Sequence, residues 1–210
     1  MNVPVNPELQ VSPSAVPVAK KKKTIVWIII IVIVIFVVLG AISAYNKMVR
    51  LEKTVDEKWA NVETQLQRRG DLIGNLVATV KRYAKHEEKV FIEVAKARSS
   101  LNNAATPKEY AQASGEISSV LSRLMLVVEA YPELKANENF LQLQAQLEGT
   151  ENRINYARLQ YNEIVKEYNT TIRQFPNVLF AGMFGFSQRE FFKAEEGARK
   201  VPDVGKMLEE

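Results

Sequence analysis

The sequence predicts an all-α protein, in which a single N-terminal transmembrane helix continues into an antiparallel four-helix bundle of three long helices and a shorter C-terminal one. Three observations predict this class. Residues 25–42 contain no charged side chain, later apolar side chains recur at alternating three- and four-residue steps, and prolines mark where those stripes begin or end. Such spacing places apolar side chains on one face of a helix, which must then pack against other helices.

Residues 1–23 are predicted to form a disordered tail that ends in a basic cluster. Half of the chain's eight prolines lie in the first 19 residues, and four lysines follow at 20–23. The net charge of +4 comes largely from these lysines, because basic and acidic side chains nearly balance after residue 44. A nucleic-acid interface needs clustered basic side chains with little compensating acid. We therefore expect no nucleic-acid partner.

Residues 24–44 are predicted to be the transmembrane helix, with residues 25–44 in contact with the lipid bilayer. At a rise of 1.5 Å per residue, about 20 residues cross a hydrocarbon core of about 30 Å. Trp27 stands where an interfacial anchor is common. A secretory signal peptide is the alternative, because lysines precede the run and Ala41-Ile42-Ser43 could serve as a cleavage site. The run exceeds the usual apolar length of such peptides, about 7–15 residues, which favours a retained anchor.

The distribution of lysine and arginine predicts the orientation of this helix. Positive side chains concentrate on the cytoplasmic side of a span, and the lysines at 20–23 abut the run directly. Four basic side chains also follow the run, but acidic ones are interleaved with them: Lys47, Arg50, Lys53 and Lys58. The compact cluster therefore favours a cytoplasmic N-terminus and a bundle outside the cytoplasm.

The bundle is predicted to span residues 45–202, and its first helix carries a heptad-like stripe. The stripe consists of Trp59, Val62, Leu66, Arg69, Ile73, Leu76, Val80 and Tyr83. Arg69 is the one charged side chain on it. Because no proline lies between Thr24 and Ala105, the pattern predicts that the anchor and the first bundle helix form one continuous helix.

Local start and stop signals define the remaining helices. Thr106-Pro107-Lys108-Glu109 is a capping box with proline at the first helical position, and Pro132 ends the stripe that follows it. Asn137 or Asn139 caps a third helix, which Pro176 closes. Ser187-Gln188-Arg189-Glu190 is a second capping box, which predicts a short fourth helix carrying Phe191 and Phe192. Residues 203–210 are predicted to be a loose tail.

Residues 178–186 are apolar and rich in glycine, and they are too few to span a bilayer. One interpretation is a hydrophobic lid over the open end of the bundle. The other is an exposed patch for a protein partner or for insertion into lipid. The candidate interaction residues in this segment are Leu179, Phe180, Phe184 and Phe186.

Arg69 also has two interpretations. Its stem can pack on the stripe while the guanidinium reaches water at the edge of the bundle. Alternatively, it forms an interior ion pair with Glu148 or Glu151 on the third helix and sets the register between the helices.

Few residues suit metal, cofactor or catalytic chemistry. The chain has no cysteine and a single histidine, His86, whereas a di-iron bundle needs two histidines. Glycine-rich phosphate loops, nucleophile elbows and HExxH motifs are absent from the sequence. We therefore predict no cofactor, no metal site and no enzymatic activity.

Several blocks of the sequence together resemble the LemA family over about residues 30–202. They are Tyr45-Asn46, Trp59, Gln65 to Arg69, Asp71 to Ile73, Asn75 to Val77, Tyr83 to Glu87, Glu129 to Asn137, Asn139-Phe140, Thr150 to Ile154, Tyr161-Asn162, Tyr168-Asn169, Phe175-Pro176 and Phe191-Phe192. Gly74 departs from the family pattern, which usually has proline at that position.

The resemblance implies a single-span bacterial envelope protein with an extramembrane helical bundle and no assigned catalytic residues. We predict that the span lies in the inner membrane. Described members place the short N-terminus outside the cell, opposite to the orientation that the charges predict. We predict a scaffold or adaptor of the cell envelope, with an unidentified envelope protein as partner and homo-oligomerisation compatible with the long stalk. The alternatives are a regulatory subunit of a membrane protease or signalling complex, and a module that binds a lipid or small ligand.

Overall fold

A computed structural model describes residues 19–193 of the chain and places six helices in that range. They are α1 (Ala19–Val80), α2 (Glu88–Asn103), α3 (Pro107–Glu129), α4 (Pro132–Lys135), α5 (Glu138–Arg173) and α6 (Asn177–Ala181). No strand occurs among the described residues. The prediction of an all-α protein with a long apolar N-terminal helix is confirmed. The predicted tail falls mostly outside the described range, but residues 19–23 belong to α1.

The chain divides into two compact units, and the boundary between Ser43 and Ala44 falls within α1. The first unit contains the apolar run, whose helix is long and apolar enough to cross a membrane. Between Ile25 and Leu39, every large apolar side chain exposes between 44% and 75% of its surface. Apolar side chains around the whole circumference of a helix are suited to lipid rather than to a protein core.

The second unit is a helical bundle whose core comes from α1, α2, α3 and α5. Contacts between these helices define their directions. On α1, Trp59 packs on Tyr110 and Arg69 reaches Ser118, so α1 and α3 run parallel. Both α2 and α5 run in the opposite sense. Gly70 and Gly74 of α1 face Leu101 and Arg98 of α2, in reverse order along the chain. Trp59 and Arg69 likewise contact Tyr161 and Glu151 of α5 in reverse order. The result is an up-down-up-down arrangement.

The apolar run and the first bundle helix form one helix, α1, as predicted, but the predicted extent of this helix to Ala105 is wrong. Helix α1 ends at Val80, and α2 begins at Glu88 after a turn. The turn contains no proline or glycine, and the amide of Ala84 donates to the Val80 carbonyl oxygen at 2.9 Å. A 16-residue helix has little stability alone, so the chain folds back to bury the α2 face on its neighbours. The buried side chains on that face are Phe91, Val94, Ala97 and Leu101.

Two glycines on α1 face side chains of α2. A Cβ atom at Gly70 would lie 3.3 Å from Cδ2 of Leu101, and one at Gly74 would lie 2.7 Å from Nη1 of Arg98. Both glycines lie within the continuous helix α1. At Gly70 a side chain would crowd the buried Leu101, whereas at Gly74 it would meet only the guanidinium of Arg98, which can move. Glycine in a helix carries an intrinsic cost of about 1 kcal/mol relative to alanine.

The caps of α3 and α5 follow the local sequence. Thr106 Oγ1 accepts from the Glu109 amide at 3.2 Å, and Glu109 Oε2 accepts from the Thr106 amide at 3.1 Å. The amides of Ala105 and Thr106 also lower the pKa of the Glu109 carboxyl, because hydrogen bonds favour its charged form. On α5, Asn137 Oδ1 accepts from the Phe140 amide. These caps are therefore the ones that the sequence predicts.

Candidate functional site

The segment after α6 is extended, so the predicted helix beginning at Ser187 is wrong for the described residues. Residues 186–193 lie in no helix, strand or turn. The amide of Arg189 donates to Asn169 Oδ1 at 2.9 Å, and that of Phe192 donates to Asn162 Oδ1 at 2.8 Å. These two amides therefore donate to side chains of α5 rather than to carbonyl oxygens of a helical turn. The end of the predicted helix and the tail at 203–210 lie outside the described residues.

Asn162 and Asn169 each hold one residue of this segment by a pair of hydrogen bonds. Nδ2 of Asn169 donates to the Arg189 carbonyl oxygen at 2.9 Å, and Nδ2 of Asn162 donates to that of Phe192 at 2.9 Å. Seven helical residues rise about 10.5 Å, and three extended residues span about 10 Å. The spacing of the asparagines on α5 therefore matches the spacing of the two residues they hold. We call this pair of side chains the asparagine ladder.

The side chains of the segment add contacts on α1. Nη2 of Arg189 lies 3.2 Å from Glu52 Oε1 and 3.2 Å from Asp56 Oδ1. Phe192 is 5% exposed, and its ring packs on Trp59 at 6.3 Å and under the guanidinium of Arg158 at 4.4 Å. The ladder bonds the main chain, whereas these contacts select a basic and an aromatic side chain three residues apart.

Two tyrosines on α5 border the segment. The hydroxyl of Tyr161 donates to the carbonyl oxygen of Glu190 at 2.8 Å. Burial raises the pKa of Tyr161 to about 12, with Arg189 opposing the shift and Glu190 and Asp56 adding to it. Burial also raises the pKa of Tyr168, with a further contribution from Glu52. Both shifts favour the protonated hydroxyl.

Arg69 lies inside the bundle, where it contacts two other helices. Its side chain donates to Ser114 Oγ at 3.3 Å and to Ser118 Oγ at 3.0 Å on α3. Its Nη1 lies 3.0 Å from Oε2 of Glu151 on α5. Arg158 Nη2 donates to the same Ser114 hydroxyl at 2.8 Å. The cluster thus connects α1, α3 and α5 through charge-assisted contacts.

Of the two carboxylates predicted to pair with Arg69, the structure brings one into contact with it. The residue is 6% exposed, so its guanidinium is not in water at the edge of the bundle. Glu151 is the carboxylate in contact with it, and Glu148 is exposed to solvent. That the pair sets the helix register stays a prediction.

The four candidate residues of the apolar segment 178–186 divide between two environments. Phe180 and Phe186 are partly buried against the core, whereas Leu179 and Phe184 are 59% and 46% exposed. The rings of Phe184 and Phe186 both contact Tyr45, at 5.0 and 5.8 Å. One side of the segment thus packs on the bundle, and the other side faces outward.

Sequence reasoning missed the site that holds the C-terminal segment, although a signal for it exists. The dipeptide Tyr-Asn occurs at 161–162 and again at 168–169, one heptad apart. A heptad places both asparagines on the same helix face. The spacing alone does not identify the segment that the asparagines hold, because the capping box at Ser187 predicts a helix there.

Metal ligands do not cluster in the part of the chain that the structure describes. Over residues 19–193, no group of three or more His, Cys, Asp or Glu side chains lies where it could share an ion. His86 is exposed in the turn between α1 and α2.

Comparison with known proteins finds relatives that are named MamQ or LemA. Magnetosome protein MamQ 2 of Paramagnetospirillum magneticum is 27% identical over 190 residues, covering 78% of this chain and 70% of the relative. Magnetosome protein MamQ of Magnetospirillum gryphiswaldense is 26% identical over 186 residues, covering 76% and 68%. Protein LemA of Metamycoplasma hominis is 22% identical over 163 residues, covering 77% and 74%. The sequence model of the LemA family matches residues 58–205, which is more than half of the chain. The chain therefore belongs to the LemA family.

Proposed function

We propose that this protein is a non-enzymatic adaptor of the bacterial cell envelope, anchored in the inner membrane by α1, whose bundle binds an extended peptide segment of a partner protein. The observation that carries the proposal is the asparagine ladder on α5. Its paired hydrogen bonds engage main-chain groups, which every peptide has, and they do so at a spacing that fits an extended chain. Main-chain hydrogen bonds with side-chain pockets are a general mode of peptide recognition.

Residues 189–192 occupy the ladder and indicate the chemistry of a competing ligand. A basic side chain would meet Glu52 and Asp56, and an aromatic one three residues later would enter the pocket beside Trp59 and Arg158. Asn155 lies one heptad before Asn162 and is exposed, so the same helix face offers a further amide to a longer ligand. A partner segment would displace the chain's own.

The test measures binding of a fluorescent peptide with the sequence of residues 186–193 to the full-length protein in detergent. Arg189→Gly combined with Phe192→Ala weakens the internal segment, so we expect this variant to bind the peptide about tenfold more tightly than wild type. Adding Asn162→Ala and Asn169→Ala should abolish binding. Asn152→Ala is the matched control, because Asn152 is exposed on another face of α5.

Two results would contradict the peptide-binding proposal. One is a weakened variant that does not bind the peptide, which would make the ladder a purely internal tie. The other is binding that survives loss of both ladder asparagines, which would place the peptide elsewhere.

The orientation proposed here, with the N-terminus in the cytoplasm and the bundle outside it, is tested separately. Because the chain has no cysteine, Ser14→Cys and Asn102→Cys each introduce a single thiol. A membrane-impermeant maleimide applied to intact cells should label the variant at position 102 and not the one at position 14. The reverse pattern would place the bundle in the cytoplasm, and partners would then be sought there.

A further inference from the structure

We propose that the outward apolar side chains of residues 175–184 form a second membrane contact, inserted into the interface of the bilayer that holds residues 25–42. The surface, here called the outer patch, consists of Phe175, Val178, Leu179, Met183 and Phe184. Its ligand is a lipid surface. The inference does not depend on the asparagine ladder, which lies on other residues.

The outer patch is strongly apolar and fully uncharged. Its members expose 79%, 47%, 59%, 76% and 46% of their surfaces, in chain order. Residues 174–188 contain no charged side chain, and Arg173 and Arg189 bound the stretch. Single exposed apolar side chains are ordinary on protein surfaces, but five within ten residues are not. Insertion of this stretch into an interface would bury no charge.

Contacts on the inner side hold the segment in place. Ala181 is 5% exposed, and Phe180 and Phe186 pack against the core. The amide of Phe186 donates to the Ala181 carbonyl oxygen at 3.0 Å, and Nδ2 of Asn177 donates to the Thr171 carbonyl oxygen at 3.0 Å. The outward side chains are therefore presented from an ordered backbone, which lowers the entropic cost of binding.

The connection of the chain identifies lipid as the occupant. The ring of Phe184 contacts Tyr45 at 5.0 Å, and Tyr45 is three residues after Ile42, the last residue of the apolar run. Three residues span at most about 11 Å. The chain connection therefore keeps Tyr45, and the Phe184 ring that contacts it, within reach of a bilayer surface at the end of the run. Tyrosine is also a side chain that is enriched at such interfaces.

Basic side chains in the same part of the bundle suit an anionic lipid surface. Lys47 and Arg50 are exposed on α1 just after Tyr45, and Arg173 is exposed in the last turn of α5. Lysine and arginine beside exposed aromatic and aliphatic side chains are typical of interfacial segments, in which apolar burial and headgroup charge both contribute. A protein partner would have to compete with the bilayer for this position.

The test attaches an environment-sensitive nitrobenzoxadiazole dye to a single cysteine in the full-length protein. Met183→Cys probes the outer patch, and Leu126→Cys is the matched control, because these two side chains are 76% and 73% exposed. The helix rise places Leu126 about 45 Å further along the bundle than Tyr45. The labelled proteins are reconstituted in phosphatidylcholine–phosphatidylglycerol vesicles, with and without nitroxide groups near the top of the acyl chains.

We expect the dye at position 183 to emit at shorter wavelength than at position 126 and to be quenched about twofold by the nitroxide lipids, with little quenching at position 126. Equal aqueous emission at both positions would overturn the proposal. So would short-wavelength emission at position 183 without lipid quenching, which would indicate a protein occupant such as a second copy. Equal quenching at both positions would indicate general adsorption and would overturn it too.

A second measurement avoids a hydrophobic dye. Leu179→Cys and Leu126→Cys are reacted with a charged maleimide, first in the same vesicles and then in detergent with denaturant. We expect the vesicle to slow the reaction at position 179 about tenfold relative to position 126, because the interface excludes the charged reagent. Equal rates would contradict insertion of the patch.

Discussion

Two regions of α1 are both rich in apolar side chains, yet their burial is opposite. From Ile25 to Leu39 each large apolar side chain exposes at least 44% of its surface. In the bundle region, Met48, Val62 and Leu76 are fully buried, and polar side chains separate them. The comparison teaches that the pattern of apolar residues, rather than their number, decides whether a helix is solvated by lipid or by other helices.

The largest difference between the two regions is expected from truncation to alanine. Leu66→Ala should lower the free energy of unfolding of the bundle by about 2–5 kcal/mol, because the side chain is 1% exposed and its removal leaves a cavity. Ile33→Ala, in the exposed run, should leave bundle unfolding unchanged. Denaturant unfolding of the full chain in detergent, followed by circular dichroism, measures both. Equal losses in the two variants would contradict the division between the regions.

A charge placed in the apolar run tests whether this run lies in the hydrocarbon core of a membrane. Val34→Arg should make insertion of the helix into the membrane less favourable by about 3 kcal/mol. We therefore expect less of the protein to remain with membranes after alkaline extraction. Leu126→Arg is the control, because Leu126 is exposed on α3 and an added charge there meets water. Unchanged membrane recovery of Val34→Arg would show that the run is not in the hydrocarbon core.

Within the bundle, Arg69 is the charged exception to the apolar stripe, and its ion pair with Glu151 can be tested separately. Glu151→Gln should lower the free energy of unfolding by about 1–2 kcal/mol, since it leaves a buried guanidinium without its carboxylate, and the partial exposure of Glu151 limits the loss. Glu148→Gln should change it by less than about 0.5 kcal/mol, because Glu148 is exposed. Equal effects would mean that the ion pair has no special role.

The register hypothesis for Arg69 has its own test. Arg69→Met replaces the charge with an apolar side chain of similar length, and buried ion pairs can be replaced in this way without loss of stability. If the pair sets the register, the variant should show more than one species or a lower melting temperature. A variant that melts no lower than wild type and remains a single species would refute the hypothesis.

The smallest effect is expected at alkaline pH. The pKa of Tyr161 is raised by burial to about 12, whereas in the unfolded chain it is about 10. Between these values the unfolded state loses its proton first, so stability is fully present below pH 10 and falls as the pH rises through the folded pKa. Tyr161→Phe should remove this alkaline loss. It should also lower the free energy of unfolding by about 1 kcal/mol at neutral pH, because the hydrogen bond to the Glu190 carbonyl oxygen is lost. An unchanged alkaline profile would contradict the assignment.

Much of the fold was predictable because its signals are local. The apolar run, the capping box at Thr106 and the prolines at 107, 132 and 176 act through a few neighbouring residues, and the structure places the helix boundaries there. For the charged residue on the α1 stripe, the sequence left an edge position and an interior ion pair both open, and the structure places Arg69 inside the bundle. Its serine partners on α3 could not be predicted, because they depend on the parallel alignment of α1 and α3.

The sequence by itself determined the all-α class, the apolar anchor helix and most of the helix ends. The turn at 81–87 and the extended segment at 186–193 were decided by tertiary structure. In the first case no local residue stops the helix, and the chain folds back because α2 needs a surface on which to bury its apolar face. In the second, a valid capping box at Ser187 is overridden, since Asn162, Asn169 and the pocket of Phe192 satisfy the backbone and bury the ring better than an isolated short helix could.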